Sequence, residues 1–206
     1  ESLKKLSLPE VKSLMNVSET LSNLNFKRIR NFSEEQNNEN SKQAIFAFSG
    51  DTFVGLNIEM FTHEDLKYAQ DNLRILSGLY GILRPLDLIQ PYRLEMGTKI
   101  KHILNESLYD YWNKDITKAN KHAIKKSKNR FLYNLSSNEY SRTISFSDLI
   151  EPVVTPFFYI EKDGKLNSLG MQSKKCRGAM ARMIIKKKIT NLEGLKQFNE
   201  YNFRYE

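Results

Sequence analysis

Between Leu76 and Lys99 the chain places three of its nine glycines and two of its five prolines, in the run LSGLYGILRPLDLIQPYRLEMGTK. No helix passes intact through Pro85 and Pro91, because proline lacks the backbone donor and biases the residue before it toward extended geometry. Gly78 and Gly81, three residues apart, permit positive φ and close backbone approach. A helix ending into such a pair leaves amide groups that can grip a phosphate, as helix-hairpin-helix modules do. Arg84, Arg93 and Lys99 add charge nearby. The plain alternative makes Gly78 a helix-terminating residue and Gly81 a turn glycine.

The pattern before this stretch is helical. Ser7 and Glu10 form a capping pattern around Pro9, and Val11, Leu14, Met15, Leu21 and Leu24 follow at helical spacing. Ala44 to Phe48 is a short apolar run, read as a strand ending in the turn Ser49-Gly50-Asp51. Thr62 to Asp65 is a second capping pattern, predicting a helix from His63 to about Leu76.

After the stretch, Asn105 is predicted to cap a helix carrying Leu108, Tyr109, Trp112, Ile116, Ala119 and Ala123 on one face and lysines on the other. Phe131 to Leu135 reads as a strand. Pro152 to Ile160 and Lys165 to Gln172 flank Asp163-Gly164, the signature of a hairpin turn. A basic helix is predicted from about Lys174 to Lys188, and a short one opening at Thr190 and running to Phe198. Mixed helices with a late β-hairpin imply an α+β fold, a single compact domain over residues 1–206; Pro85 and Pro91 weigh against a long second helix and so against a helix-hairpin-helix read from spacing alone.

Lys175, Ala179, Arg182 and Lys186 share one stripe of the basic helix, beside Lys174 and Arg177. Small residues there let a phosphate backbone or another helix come close; a solvated amphipathic face explains the stripe equally well. Asp51 and Glu139, with Tyr140, supply polar groups after strands, where sites often lie. They suit acids, bases or ligands, and ordinary turn chemistry also accounts for them. No Ser/His/Asp constellation is identifiable, so the residues name no catalytic group.

Net charge is +8, which draws polyanions, although a solvated lysine-rich surface also produces it. The single cysteine, Cys176, allows no internal disulfide and suits a reducing cytosol. The three histidines lack ligand spacing, so no metal or other cofactor is expected. No apolar run approaches a membrane span, so no membrane partner is expected either.

Four segments closely resemble, in order, the YaaA family of bacterial peroxide-stress proteins: AIFAFSGD at Ala44 to Asp51, the Leu76–Lys99 run, LSSNEY at Leu135 to Tyr140, and KKCRGAMAR at Lys174 to Arg182. The resemblance spans nearly the whole chain. It implies a cytosolic protein of the oxidative-stress response that limits damage by keeping unincorporated iron low. It also implies an α+β fold with a helix-hairpin-helix motif, a positively charged cleft and DNA binding.

Carried over by position, the DNA- or anion-binding set is Gly78, Tyr80, Gly81, Arg84, Arg93, Lys99, Lys174, Lys175, Arg177 and Arg182, with Asp51, Glu139 and Tyr140 in a polar cleft. The chain departs from the family pattern in four places, one of them a C-terminal end cut short after Glu206. The opening Ser-Pro-Ala-Lys-Thr-Leu segment is absent, Ser49 stands where lysine is common, and Asn138 replaces an aspartate. A native N-terminal strand segment and a C-terminal tail are accordingly expected beyond residues 1–206. The expected function is sequence-independent binding of double-stranded DNA by a monomer. The alternative is an enzyme acting on a small anionic or phosphorylated substrate.

Overall fold

In the computed structural model, which describes residues 1–127, 131–168 and 170–206, the local capping signals set most helix starts. A 3-10 turn over Ser2–Lys5 leads to α1 (Leu8–Met15). The Ser7 amide donates to the Glu10 carboxylate at 2.7 Å, completing the capping box. Asn16 then turns left-handed (φ 48°) and ends α1, so Leu21 and Leu24 belong to a separate helix, α2 (Glu19–Asn31), capped by Ser18.

β1 (Lys42–Gln43) runs directly into α3 (Ala44–Ala47), where a strand was expected. The reason is tertiary. The Ala44 and Ile45 amides donate to the carbonyls of Asp87 (2.8 Å) and Pro85 (2.9 Å), which satisfies the open end of a helical turn and buries both side chains. Gly50 caps α4 (Asp51–Leu56). α5 (His63–Asn72) starts at the Thr62–Asp65 capping box and stops four residues short of Leu76. Leu76 lies instead in β2 (Ile75–Ser77), antiparallel to β3 (Gly81–Leu83), with Ser77 opposite Gly81. The glycine pair is thus flanked by strands, not by two helices. β4 (Leu88–Ile89) returns to pair with β1.

Asn105 closes the short α6 (Lys101–Leu104) in a left-handed conformation instead of opening the next helix. Ser107 caps α7 (Leu108–Lys126), accepting from the Asp110 amide at 3.2 Å. The buried stripe of α7 is Leu108, Ile116, Thr117, Asn120 and Ile124; Ala119 and Ala123 lie at its margin, and Lys114, Lys118 and Lys125 are exposed.

β5 (Leu132–Tyr133) pairs in parallel with β6 (Val153–Val154), with α8 (Asn138–Ser141) between them. The late hairpin, β7 (Ile160–Lys162) and β8 (Lys165–Asn167), turns through Asp163 (φ 53°) and Gly164 (φ 68°) as its Asp-Gly signature predicts. α9 (Gly170–Lys187) is the basic helix. α10 (Leu192–Lys196) is capped by Asn191, one residue after Thr190, and β9 (Asn199–Glu200) with β10 (Phe203–Arg204) forms a further hairpin.

Three apolar clusters make one core. The first holds Ala44, Ile45, Leu56, Ala69 and Ile185, the second Phe158, Cys176, Met180 and Phe198, and the third Met96, Ile100, Leu108 and Ile116. Leu135 packs against the first and second, and Tyr92 against the first and third, so the three are continuous. α9 is the central element. Gly178 meets the carbonyl of Thr52, and Gly55 meets that of Lys175; a Cβ on either glycine would overlap backbone. The two helices α4 and α9 therefore touch main chain to main chain. With the clusters joined in this way, the fold is α+β and forms one compact domain.

Candidate anion-binding cleft

A cleft of about 1090 Å³ opens between α2, α4, α8, α9 and the segment from Gln90 to Glu95. Six of the residues singled out in the sequence line it: Asp51, Arg93, Glu139, Tyr140, Lys174 and Arg177. Local structure explains several. Lys174 and Arg177 are three residues apart on α9 and so share a face. Asp51 stands in the first turn of α4, and Glu139 and Tyr140 are consecutive in α8.

The electrostatics of the cleft are mixed. The guanidinium of Arg177 is half-buried, and burial lowers its pKa from the ordinary value. Neither the Arg177 nor the Lys174 side chain has a hydrogen bond or ion pair among the described residues. Arg93 pairs with Glu95 at 3.4 Å, both about half exposed. The Tyr140 hydroxyl donates to the same Glu95 carboxylate at 3.0 Å. Burial, and next the Glu95 charge, hold that hydroxyl far above the usual tyrosine range, so it is a donor and never a phenolate at physiological pH. Glu139 accepts from the Gly97 amide at 2.8 Å. Deeper in, Ser77 and Tyr92 share a 2.6 Å hydroxyl contact, and burial pushes the Tyr92 pKa up to about 12.

Three cationic lining residues, Arg28, Lys42 and Arg74, were not singled out. Arg28 comes from α2 and Lys42 from β1, more than a hundred residues away from α9. No local pattern marks either, since only the folded topology brings them to the cleft. Arg74 also lines it, but its guanidinium donates to the carbonyls of Gln70 (3.3 Å), Asp71 (3.1 Å) and Leu73 (2.7 Å). It serves as a cap on the end of α5.

The other residues expected to bind an anion lie elsewhere. Arg84 pairs with Asp87 at 3.1 Å in the turn after β3. Lys99 is exposed outside the cleft, and Lys175 lies beyond its lining. Arg182 donates to the Gly55 carbonyl and to the Glu200 carboxylate, with its side chain only 11% exposed. Its charge is committed inside the fold.

The glycine pair has its own internal partners. The Gly78 carbonyl accepts from the Trp112 indole at 3.0 Å, and the Gly78 α-carbon backs onto the Leu94 carbonyl. Gly81 (φ 71°) sits under the Trp112 ring, where an added Cβ would come within 2.6 Å. Tyr80 accepts from the Gln90 amide at 3.0 Å and packs edge-on to Tyr92. Both glycines are buried. The space expected for a phosphate beside them is filled by α7 and the Leu94 backbone. Arg84, Arg93 and Lys175 therefore do not converge on one cleft; Arg93, Lys174 and Arg177 do.

Cys176 is fully buried, and that burial pushes its thiol up to about 11. Among the described residues no group of three or more His, Cys, Asp or Glu side chains is placed to hold a metal ion, and no helix is long and apolar enough to cross a membrane.

Comparison with known proteins places this architecture among relatives. The family model described as "Peroxide stress protein YaaA" matches residues 1–206. A "UPF0246 protein" from Dinoroseobacter shibae is 42% identical over 202 residues, covering 98% of this chain and 76% of its own. Another from Saccharophagus degradans is 45% identical over 199 residues, covering 97% of this chain and 78% of its own. With a family match over the full 206 residues and relatives at this identity, the chain belongs to the peroxide stress protein YaaA family.

Proposed function

We propose that this chain serves the peroxide-stress response by binding double-stranded DNA through its phosphate backbone, largely without sequence preference, and that covering the DNA limits iron-dependent oxidative damage. The supporting observation is the pair Lys174 and Arg177, sharing one face of α9 within the cleft, with no side-chain hydrogen bond or ion pair to another of the described residues. Backbone recognition needs cations that are free to displace counterions. Arg28 and Lys42 extend that set around the cleft, Arg93 stands beside them paired with Glu95, and a net charge of +8 draws a polyanion toward the surface.

The test is a titration of random-sequence duplex DNA at low and moderate salt. Binding should weaken steeply with salt. Lys174→Glu with Arg177→Glu should weaken it by about tenfold or more, since each reversal replaces an attraction by a repulsion. Arg84→Glu, outside the cleft, should matter less. Affinity indifferent to salt and to the cleft substitutions would count against the reading.

One observation favours a second reading. Asp51 and Glu139 line the same cleft as the cations. Carboxylates repel a run of phosphates, yet they suit a general base beside a small anion held by Lys174 and Arg177. An enzyme acting on a small anionic or phosphorylated substrate would show it through pyrophosphate binding in the cleft at low concentration, with DNA binding weak by comparison.

A further inference from the structure

The chain entering β7 alternates in burial. Phe158 is 7% exposed and belongs to the second core cluster, while its neighbours Phe157 and Tyr159 are 64% and 46% exposed. This is the alternation of extended chain with one face on the core and one in solvent. The two outward rings stack on each other, with centroids 6.2 Å apart and planes 16° from parallel. Leu166, 70% exposed, stands opposite Glu161 in the hairpin register and adds to the same outward side. A second pair at the same spacing, Phe131 and Tyr133, also stacks, at 6.3 Å and 3°. Those rings are half-buried and line the cleft, and Tyr133 also packs against the second cluster, so that pair is part of the cleft wall. Phe157 and Tyr159 contribute to no cluster.

We propose that Phe157 and Tyr159 form a stacking platform for unpaired bases of a single-stranded nucleic acid. The inference rests on the DNA-binding reading above and adds a strand state to it. Every base has a π face, so an aromatic platform accepts any sequence, in keeping with recognition that ignores sequence. A duplex keeps its bases stacked on each other, so the platform engages only opened or frayed strands. Charge selects this occupant over a second copy of the chain: two molecules each carrying +8 repel, whereas a polyanion is attracted. Lys165 on β8, opposite Lys162 in the register, lies on the other face of the hairpin, and the exposed Glu161, next on the platform's own side, bounds the platform at two rings.

The experiment compares a short oligothymidine, an abasic strand of equal length and a duplex, each titrated with the wild-type chain and with Phe157→Ala plus Tyr159→Ala. Wild type should bind oligothymidine about tenfold or more tightly than the abasic strand, and the double variant should lose that margin while keeping its duplex affinity. The abasic comparison needs no substitution, so it stands even where the variant folds poorly. Equal wild-type affinity for oligothymidine and the abasic strand overturns the platform. So does an undiminished variant, or a wild-type dimer that the variant disperses. Absence of binding to every strand overturns the DNA reading itself.

Discussion

The guanidinium of Arg182 is shared between the Glu200 carboxylate, 18 residues further along the chain, and the Gly55 carbonyl. One side chain of the basic helix thus ties α9 to α4 and to the C-terminal hairpin. Lys186, one turn on, does similar work: its ammonium donates to the Met60 carbonyl at 2.6 Å and to Asp65 at 3.2 Å. Half of the stripe formed by Lys175, Ala179, Arg182 and Lys186 is therefore internal fastening.

Arg182→Ala should lower stability by about 1–3 kcal/mol, because it strands a part-buried carbonyl and carboxylate without their donor. Urea unfolding checks it. DNA affinity of the folded variant should stay close to wild type, since Arg182 is outside the cleft lining.

Gly178→Ala should be worse. The new methyl would overlap the Thr52 carbonyl and the Leu56 amide, both backbone atoms that cannot swing aside. A loss of about 2 kcal/mol or more is expected. Gly170→Ala, with nothing within 4 Å of the added carbon, should change the unfolding midpoint little.

The helix starts that were legible in the sequence are those closed by immediate neighbours. Ser7 with Glu10 and Thr62 with Asp65 each complete a capping box within four residues. Asn105 and Thr190 misled because a better-placed cap stood one or two residues on, at Ser107 and Asn191, and only the path of the chain chooses between them. Ala44 to Phe48 misled because the carbonyls of Asp87 and Pro85, forty residues away, decide its geometry. The β9–β10 hairpin carried only half a signal: Asn202 (φ 63°) suits a left-handed turn position, but Tyr201 (φ 55°) stands in the same region, where tyrosine is unexpected. Gly78 and Gly81 were visible as special positions, but their partners, Trp112 and Leu94, were not. The cleft was half legible for the same reason. Lys174 and Arg177 share a helix face at readable spacing, whereas Arg28 and Lys42 arrive only through the fold.

Asp65 gives stability an acid limb. The Thr62 amide, and further the Thr62 hydroxyl and Lys186, hold its carboxyl below the ordinary value of 3.8, against the opposing effect of burial. A depressed folded pKa contributes stability that is present above the unfolded value and lost as pH falls through the folded one. Asp65→Asn should therefore be less stable than wild type at pH 7. The difference should shrink as the pH falls below about 4, and paired urea titrations at neutral and acid pH would show it.

Cys176 should be inert in the native protein. Burial pushes its thiol up to about 11, so it stays protonated at neutral pH, and the sulfur is fully buried. Iodoacetamide should label it at a negligible rate until urea unfolds the chain, and peroxide should leave it reduced. Rapid native labelling would contradict this.

The role of Arg177 is the centre of the account, and the salt dependence of DNA binding measures it most directly. Log affinity for a random-sequence duplex should fall linearly with log salt, and Arg177→Gln should make the slope shallower by about one, the signature of a single lost phosphate contact. A slope identical in wild type and Arg177→Gln would contradict it.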